Sequence, residues 1–474
     1  MSRRLAAAAA AVVAGALAAP APALAHGLVG RADLPIPEWL FGWAAAVVLV
    51  VSFAGLAVLW QTPRLEEEDW HPLPEGISFA IVNTATEVFA GVVGVGILVL
   101  TIWSGLAGSQ SPTANFAPTF IYVVFWVGLV PASLLLGDVF RAFNPWRAIA
   151  RGTGWAAARV VGPLPTPFRY PAWLGRWPAV VGLFGFAWME LSYTNGSDPS
   201  TLAVATLVYS AVTLIAIACF GTEAWIGRGE TFSVYYNLFS RVSAIEVRDG
   251  RLGVRRLLSA LPRLEPLPGT VALLIVMIGT VAFDGASEGK PWVDVAPDIQ
   301  DFFTSLGFSL STALEIAFTL GMLIAIGLVA AIYLLGIAGV RTLDRRPLVT
   351  VARSYMHTLV PIAAAYVLAH YFSLLVYNGQ AIAYLASDPL GDGSDLFGTA
   401  GRAIDYGVIN ASGIWYVQVG VLVAGHVCGL ILAHDRALAM YEKARAATTS
   451  QYWMLAVMVA FTTGGLFLLS QANQ

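Results

Sequence analysis

Four ionisable side chains stand inside long apolar runs, where charge is costly: Glu190 in Trp188-Met189-Glu190-Leu191-Ser192, Asp284 in Phe283-Asp284-Gly285, Glu315, and His370 in Ala369-His370-Tyr371-Phe372-Ser373. A charged group at mid-bilayer costs roughly 3 kcal/mol even on insertion scales, so such groups face a cavity or a partner. At a helix rise of about 1.5 Å per residue all four fall in the outer third of their segments, with His426 near mid-depth. Three carboxylates and an imidazole at one level suit proton relay, binding of a divalent cation, or a metal-activated water. Glu315 and His370 are the expected functional centre, together with Asp284. Glu190 lies at its rim and His426 below it, and these same five residues are the candidate ligands if a divalent metal ion is bound.

Haem ligation is tested by helix geometry. His357 and His370 are thirteen residues apart, about 140° around a helix, and His426 and His434 differ by about 80°, so neither pair supports two stacked haems. A single haem between His370 and His426 remains an alternative. The other ionisable groups in apolar sequence are Glu87 and Asp138.

The segments that position these groups dominate the chain. Of 474 residues 58% are hydrophobic and 12% charged, with a mean hydropathy of +0.72, which excludes a soluble enzyme. Two cysteines, Cys219 and Cys428, both in apolar runs, exclude a disulfide framework and a cysteine-ligated cluster. A net charge of −3 without a basic tract argues against nucleic acid. No G-x-x-x-x-G-K-S/T loop is present to bind nucleotide, and the H-E-x-x-H motif is also missing from the sequence. The expected fold class is an all-α integral membrane protein in contact with the lipid bilayer.

Residues 1–25 have the form of a secretory signal peptide: Arg3 and Arg4, an Ala/Val/Leu run, then Ala23-Leu24-Ala25. Cleavage would leave His26 at the mature N-terminus, where a copper site is a minor alternative. Residues 26–474 form the polytopic domain. Ten apolar segments of about the length that crosses a bilayer follow, near 38–60, 85–107, 117–138, 177–195, 200–221, 268–285, 308–340, 348–377, 414–434 and 452–470.

Charge placement orients them. With the mature N-terminus outside, Arg64, the arginines of 141–176 and 228–263, those of 341–353, and Arg436, Lys443 and Arg445 all face the cytoplasm, and only Arg31, Lys290 and Arg402 face outward. Both mature termini are then extracytoplasmic in a bacterial plasma membrane. The outer segments are acidic, with Asp198, Glu288, Asp294, Asp298, Asp301, Asp388, Asp392, Asp395 and Asp405. Two long inner segments, 139–176 with Phe143-Asn144-Pro145-Trp146-Arg147 and 222–267 with Thr231-Phe232-Ser233-Val234-Tyr235-Tyr236, alternate aromatics with arginines and suggest chain lying on the inner membrane surface.

Ten spans divide as five plus five, in halves 38–221 and 268–470 joined by the cytoplasmic loop 222–267. Halves of five spans have opposite orientations, the topology of inverted-repeat transporters. Leu129-Val130-Pro131 and Leu359-Val360-Pro361 occupy the third span of each half, and each proline removes a backbone hydrogen bond.

The run beginning His26-Gly27-Leu28-Val29-Gly30, with Phe143-Asn144-Pro145-Trp146-Arg147, Phe283-Asp284-Gly285, Leu359-Val360-Pro361 through Ala369-His370-Tyr371, and Asp395-Leu396-Phe397-Gly398-Thr399, resembles a group of bacterial polytopic membrane proteins, common in actinobacteria, labelled fenitrothion hydrolase. The resemblance covers most of the chain after the leader and implies hydrolysis of an organophosphate ester, without a defined catalytic motif to place on these residues. Arginine outnumbers lysine 24 to 2, as in proteins from GC-rich genomes. The sequence thus favours a transporter or channel for a cation or proton-coupled small solute, with a membrane-embedded metal-dependent hydrolase as the alternative.

Overall fold

The computed structural model describes residues 38–162, 165–341 and 346–471. The expected leader, residues 1–25, and His26 lie outside the described residues. In the first half of the chain the helices are α1 (Glu38–Leu59), α2 (Glu75–Ile81), α3 (Thr84–Ala107), α4 (Phe116–Leu136), α5 (Val139–Phe143), α6 (Pro145–Val160), α7 (Trp177–Leu191), α8 (Pro199–Phe220), α9 (Thr222–Arg228) and α10 (Thr231–Ser240). The second half carries α11 (Thr270–Ser287), α12 (Lys290–Ser305), α13 (Leu310–Arg341), α14 (Leu348–His370), α15 (Phe372–Leu385), α16 (Ala411–Met440), α17 (Ala444–Ser450) and α18 (Tyr452–Gln471). Side-chain caps set several starts: Asn83 accepts from Thr86 N at 2.9 Å, Asn144 from Arg147 N at 2.8 Å and Asn410 from Gly413 N at 2.7 Å.

Among the described residues, seven helices are long and apolar enough to cross a membrane, or eight if α14 and α15 count as one bent span. Of the three other expected spans, the last is the 20-residue helix α18 and two take another form. The 177–195 segment is a helix of 15 residues, about 22 Å long and short of the roughly 30 Å hydrocarbon core. The 348–377 segment breaks at Tyr371, where α15 turns 60° away from α14.

Burial separates central from peripheral helices. Val47, Val50 and Val51 on α1, Phe89 and Val92 on α3, and Ile324 and Leu328 on α13 are exposed, the apolar surface expected of helices facing lipid. In α11 every residue from Leu273 to Val281 is buried, and in α14 every residue from Leu359 to Val367. These two helices are therefore enclosed by protein. α16 packs against α14 through small residues, since a Cβ on Gly425 would stand 2.2 Å from that of Ala365 and 2.7 Å from the Pro361 carbonyl oxygen.

Both third-span prolines sit where α-geometry restarts. In α4 residues Phe120–Gly128 are π-helical and regular α-helix resumes at Leu129; in α14 a 3₁₀ turn, Met356–Thr358, precedes Leu359. Pro131 and Pro361 have no N–H for the carbonyl four residues earlier, which accounts for irregular backbone just before each.

The expectation that the Thr231–Tyr236 segment lies on the membrane surface is overturned. It is α10, in which Tyr235, Tyr236, Leu238 and Phe239 have no exposed surface. Its hydrophobicity is spent inside the protein rather than at the lipid boundary. Glu230, fully buried, caps it by accepting from Phe232 N (3.0 Å) and Ser233 N (2.8 Å), and Asn144 donates to Glu230 at 3.2 Å and to Ser233 at 2.8 Å, so the two aromatic inner segments lock together. Tyr235 stacks on Trp126 with centroids 4.7 Å apart, and Tyr236 donates to the Phe125 carbonyl at 2.5 Å within the π-helical stretch.

The all-α expectation needs one amendment. A three-stranded antiparallel sheet, β1 (His71–Pro72), β2 (Ile245–Arg248) and β3 (Arg251–Val254), is ordered β1-β3-β2 with Arg248 opposite Arg251. Asp249 and Gly250, both at positive φ, form the tight turn that an Asp-Gly pair favours.

Candidate functional site

The site lies where the end of α11 meets the break after α14. His370 Nε2 is 2.8 Å from Asp284 Oδ2, and the Tyr371 hydroxyl donates to the same oxygen at 2.7 Å. Consecutive helical residues point about 100° apart; helix α14 ends at His370, and the change of direction lets both side chains reach one carboxylate. The His370 and Asp284 side chains are 16% and 18% exposed.

Hydrogen-bond bookkeeping assigns the protons. An ionised carboxylate only accepts, so Nε2 carries a proton toward Asp284 and, in the neutral imidazole, Nδ1 is left as an acceptor. Nδ1 faces Gly285, where a Cβ would stand 3.5 Å away. Beside it is a cavity of about 20 Å³ lined by Val281, Gly285, Tyr366, His370, Leu422 and Gly465. That is room for about one water molecule.

Further carboxyl groups gather around the pair. Glu190, at the end of α7, is within electrostatic reach of Asp284, and Glu288 is within reach of both Asp284 and His370. Tyr235 also feels Glu190, and its buried hydroxyl has no hydrogen-bond partner among the described residues.

The other expected site residues are placed elsewhere. Glu315 accepts from Thr194 N at 3.2 Å and Thr194 Oγ1 at 2.8 Å, so the partner of His370 is Asp284 rather than Glu315. His426 is fully buried; its Nδ1 meets the Leu422 carbonyl at 2.8 Å and its ring lies 6.1 Å from Tyr366. Glu87 pairs with Arg147 at 2.7 Å and with Arg151, and Asp138 accepts from Asn237 at 2.8 Å. His434 Nε2 donates to the Trp60 carbonyl at 2.9 Å. A catalytic metal takes about three protein ligands, and among the described residues no three His, Cys, Asp or Glu side chains are gathered to hold one.

Tyr371 and Tyr235 are the residues that sequence reasoning passed over. Tyr371 adjoins His370, but adjacency in a helix argues against convergence, and only the break makes it a partner. Comparisons with protein families, with curated proteins and with solved structures find no match to this chain.

Proposed function

We propose that this multi-pass membrane protein is a proton-coupled carrier of a small solute or cation, with the Asp284–His370 pair as its titrating element. The observation that carries the reading is a largely buried imidazole and carboxylate in contact where one protein-enclosed helix, α11, meets the break that ends another, α14. Intramembrane ionisable groups at discontinuous helices are where transporters place coupling sites. In the cycle envisaged, Nδ1 of His370 takes a proton from water in the adjoining cavity, and the imidazolium is held by the Asp284 carboxylate through Nε2. Loss of that proton weakens the contact and frees the α14–α15 joint to move. Tyr371 orients the carboxylate throughout.

Ten spans in a bacterial plasma membrane, with both mature termini outside, complete the proposal. The arginines of 141–176 and 228–263 then face the cytoplasm and the Asp284–His370 pair opens outward, with Glu315 nearer the outer rim and His426 deeper.

The test uses proteoliposomes carrying a trapped pH-sensitive dye, an imposed proton gradient and a panel of cations and small solutes. Wild-type protein should acidify the lumen in response to at least one of them, and Asp284→Asn and His370→Gln, inserted at normal levels, should not. Equal acidification by wild type and both variants would refute the assignment.

A further inference from the structure

Helix α7 carries Glu190 at one end and follows Arg176 at the other, so a second polar region lies about 20 Å from the first. There a cavity of about 530 Å³ is lined by Arg141, Arg176, Arg228, Arg241 and Arg263. Three carboxylates share the lining, but two are already engaged. Glu223 is taken by Arg141 at 2.6 Å and by Arg147 at 3.1 Å, and Asp138 accepts from Asn237 and from Arg141 N at 3.2 Å. The third, Glu265, is exposed, and Arg176 reaches its backbone carbonyl rather than its carboxylate.

Four of these cations form no ion pair among the described residues, although Asp138 and Glu246 offset part of the charge on Arg241, Glu265 on Arg176 and Glu66 on Arg263. Among the described residues Arg176, Arg228, Arg241 and Arg263 have no carboxylate within 4.0 Å. Arg176 is 4% exposed; its Nη1 donates to Thr270 Oγ1 at 2.8 Å, while its Nε is buried with no acceptor. Arg241 Nε and Arg263 Nη2 are likewise buried without acceptors. Burial, and then the neighbouring Arg241 guanidinium, push Arg176 down to about 10, which leaves it charged at neutral pH. Unpaired buried guanidinium groups are expensive, and one ligand that satisfied them together would repay that cost.

We propose that this arginine-lined cavity binds a phosphate-bearing anion. The donors come from separate stretches of chain, before α7, after α10 and before α11, so the ligand must present several acceptor oxygens in different directions, as a phosphate does. The cavity is larger than bare phosphate and has room for a phosphate ester. Two sources share this chemistry, a phospholipid headgroup from the adjacent leaflet and a soluble phosphate. The site is separate from the Asp284–His370 pair and does not depend on the transport reading.

Full-length protein in phosphatidylcholine nanodiscs, titrated with inorganic phosphate, tests the soluble source. Native mass spectrometry after exchange into mixed phosphatidylglycerol and phosphatidylcholine tests the lipid one. Wild type should bind in at least one arm, with affinity falling as salt rises, and the arm that responds names the source. Arg176→Gln and Arg241→Gln should each weaken binding by about tenfold or more. Arg228→Gln, at a half-exposed residue 6.0 Å from the Tyr170 ring, should weaken it by a smaller factor without disturbing the fold. No binding in either arm overturns the proposal. So does unchanged affinity in the three variants, or in Arg228→Gln alone should the two buried variants fail to fold.

Discussion

Asp284 and His370, 86 residues apart in sequence, meet through Oδ2 and Nε2 at 2.8 Å. The contact joins the end of α11 to the end of α14, so a change of charge on either group acts directly on the joint where α15 turns away.

His370 and His426 should hold opposite tautomers. His370 directs Nε2 at a carboxylate and His426 directs Nδ1 at the Leu422 carbonyl, so neutral His370 carries its proton on Nε2 and neutral His426 on Nδ1. ¹⁵N spectra of histidine-labelled protein at high pH, assigned with His370→Gln and His426→Gln, should show one of each. Two identical tautomers would contradict the geometry.

Tyr371→Phe removes one hydrogen bond to Asp284 and keeps the ring, which packs 4.7 Å from that of His370. A bond to a charged acceptor is worth about 2 kcal/mol, so thermal stability should fall by about that amount. Proton movement should persist in the variant, because the imidazole and the carboxylate both remain.

Asp435 has a structural role. Fully buried, it accepts from Trp60 Nε1 at 2.9 Å, Arg64 N at 2.6 Å and Leu65 N at 3.0 Å, tying the end of α16 to the chain leaving α1. Asp435→Ala strands three donors and should destabilise the protein by about 3 kcal/mol or more, read as a lower melting temperature in detergent.

Asp69 links two loops outside the membrane-spanning helices and makes part of the stability depend on pH. Burial acts to raise its carboxyl, but hydrogen bonds from the Arg256 backbone N (2.9 Å), the Arg256 guanidinium (2.6 Å) and Ser259 (3.0 Å) outweigh that and hold it below its ordinary 3.8. A carboxyl depressed on folding contributes stability that is present above 3.8 and is lost as pH falls through the lower folded value. The melting temperature of wild type should therefore decline more steeply below pH about 4 than that of Asp69→Asn, which should be less stable at neutral pH.

Much of this fold is legible in the sequence because a membrane helix announces itself locally. A run such as Val47 to Leu59 needs no partner to be recognised. α10 escaped that logic because its apolar face is buried against Phe125 and Trp126 instead of lipid, and its tyrosines, Asn237 and Glu230 give it the look of an interfacial segment. The direction in which each candidate side chain points was not legible. Distance along a helix puts Asp284, Glu315 and His370 at similar levels, whereas the face each occupies depends on packing, and Glu315 is turned to Thr194. Tyr371 could not be assigned because the break that aims it arises from the tertiary arrangement of α14 and α15.

The most direct test is charge movement after a pH jump on a solid-supported membrane, which requires no known substrate. Wild-type protein should give a transient current as His370 gains or loses its proton, and that current should be largely absent in His370→Gln and strongly altered in Asp284→Asn. Currents of wild-type size and pH dependence in both variants would show that the pair does not titrate and would contradict the account.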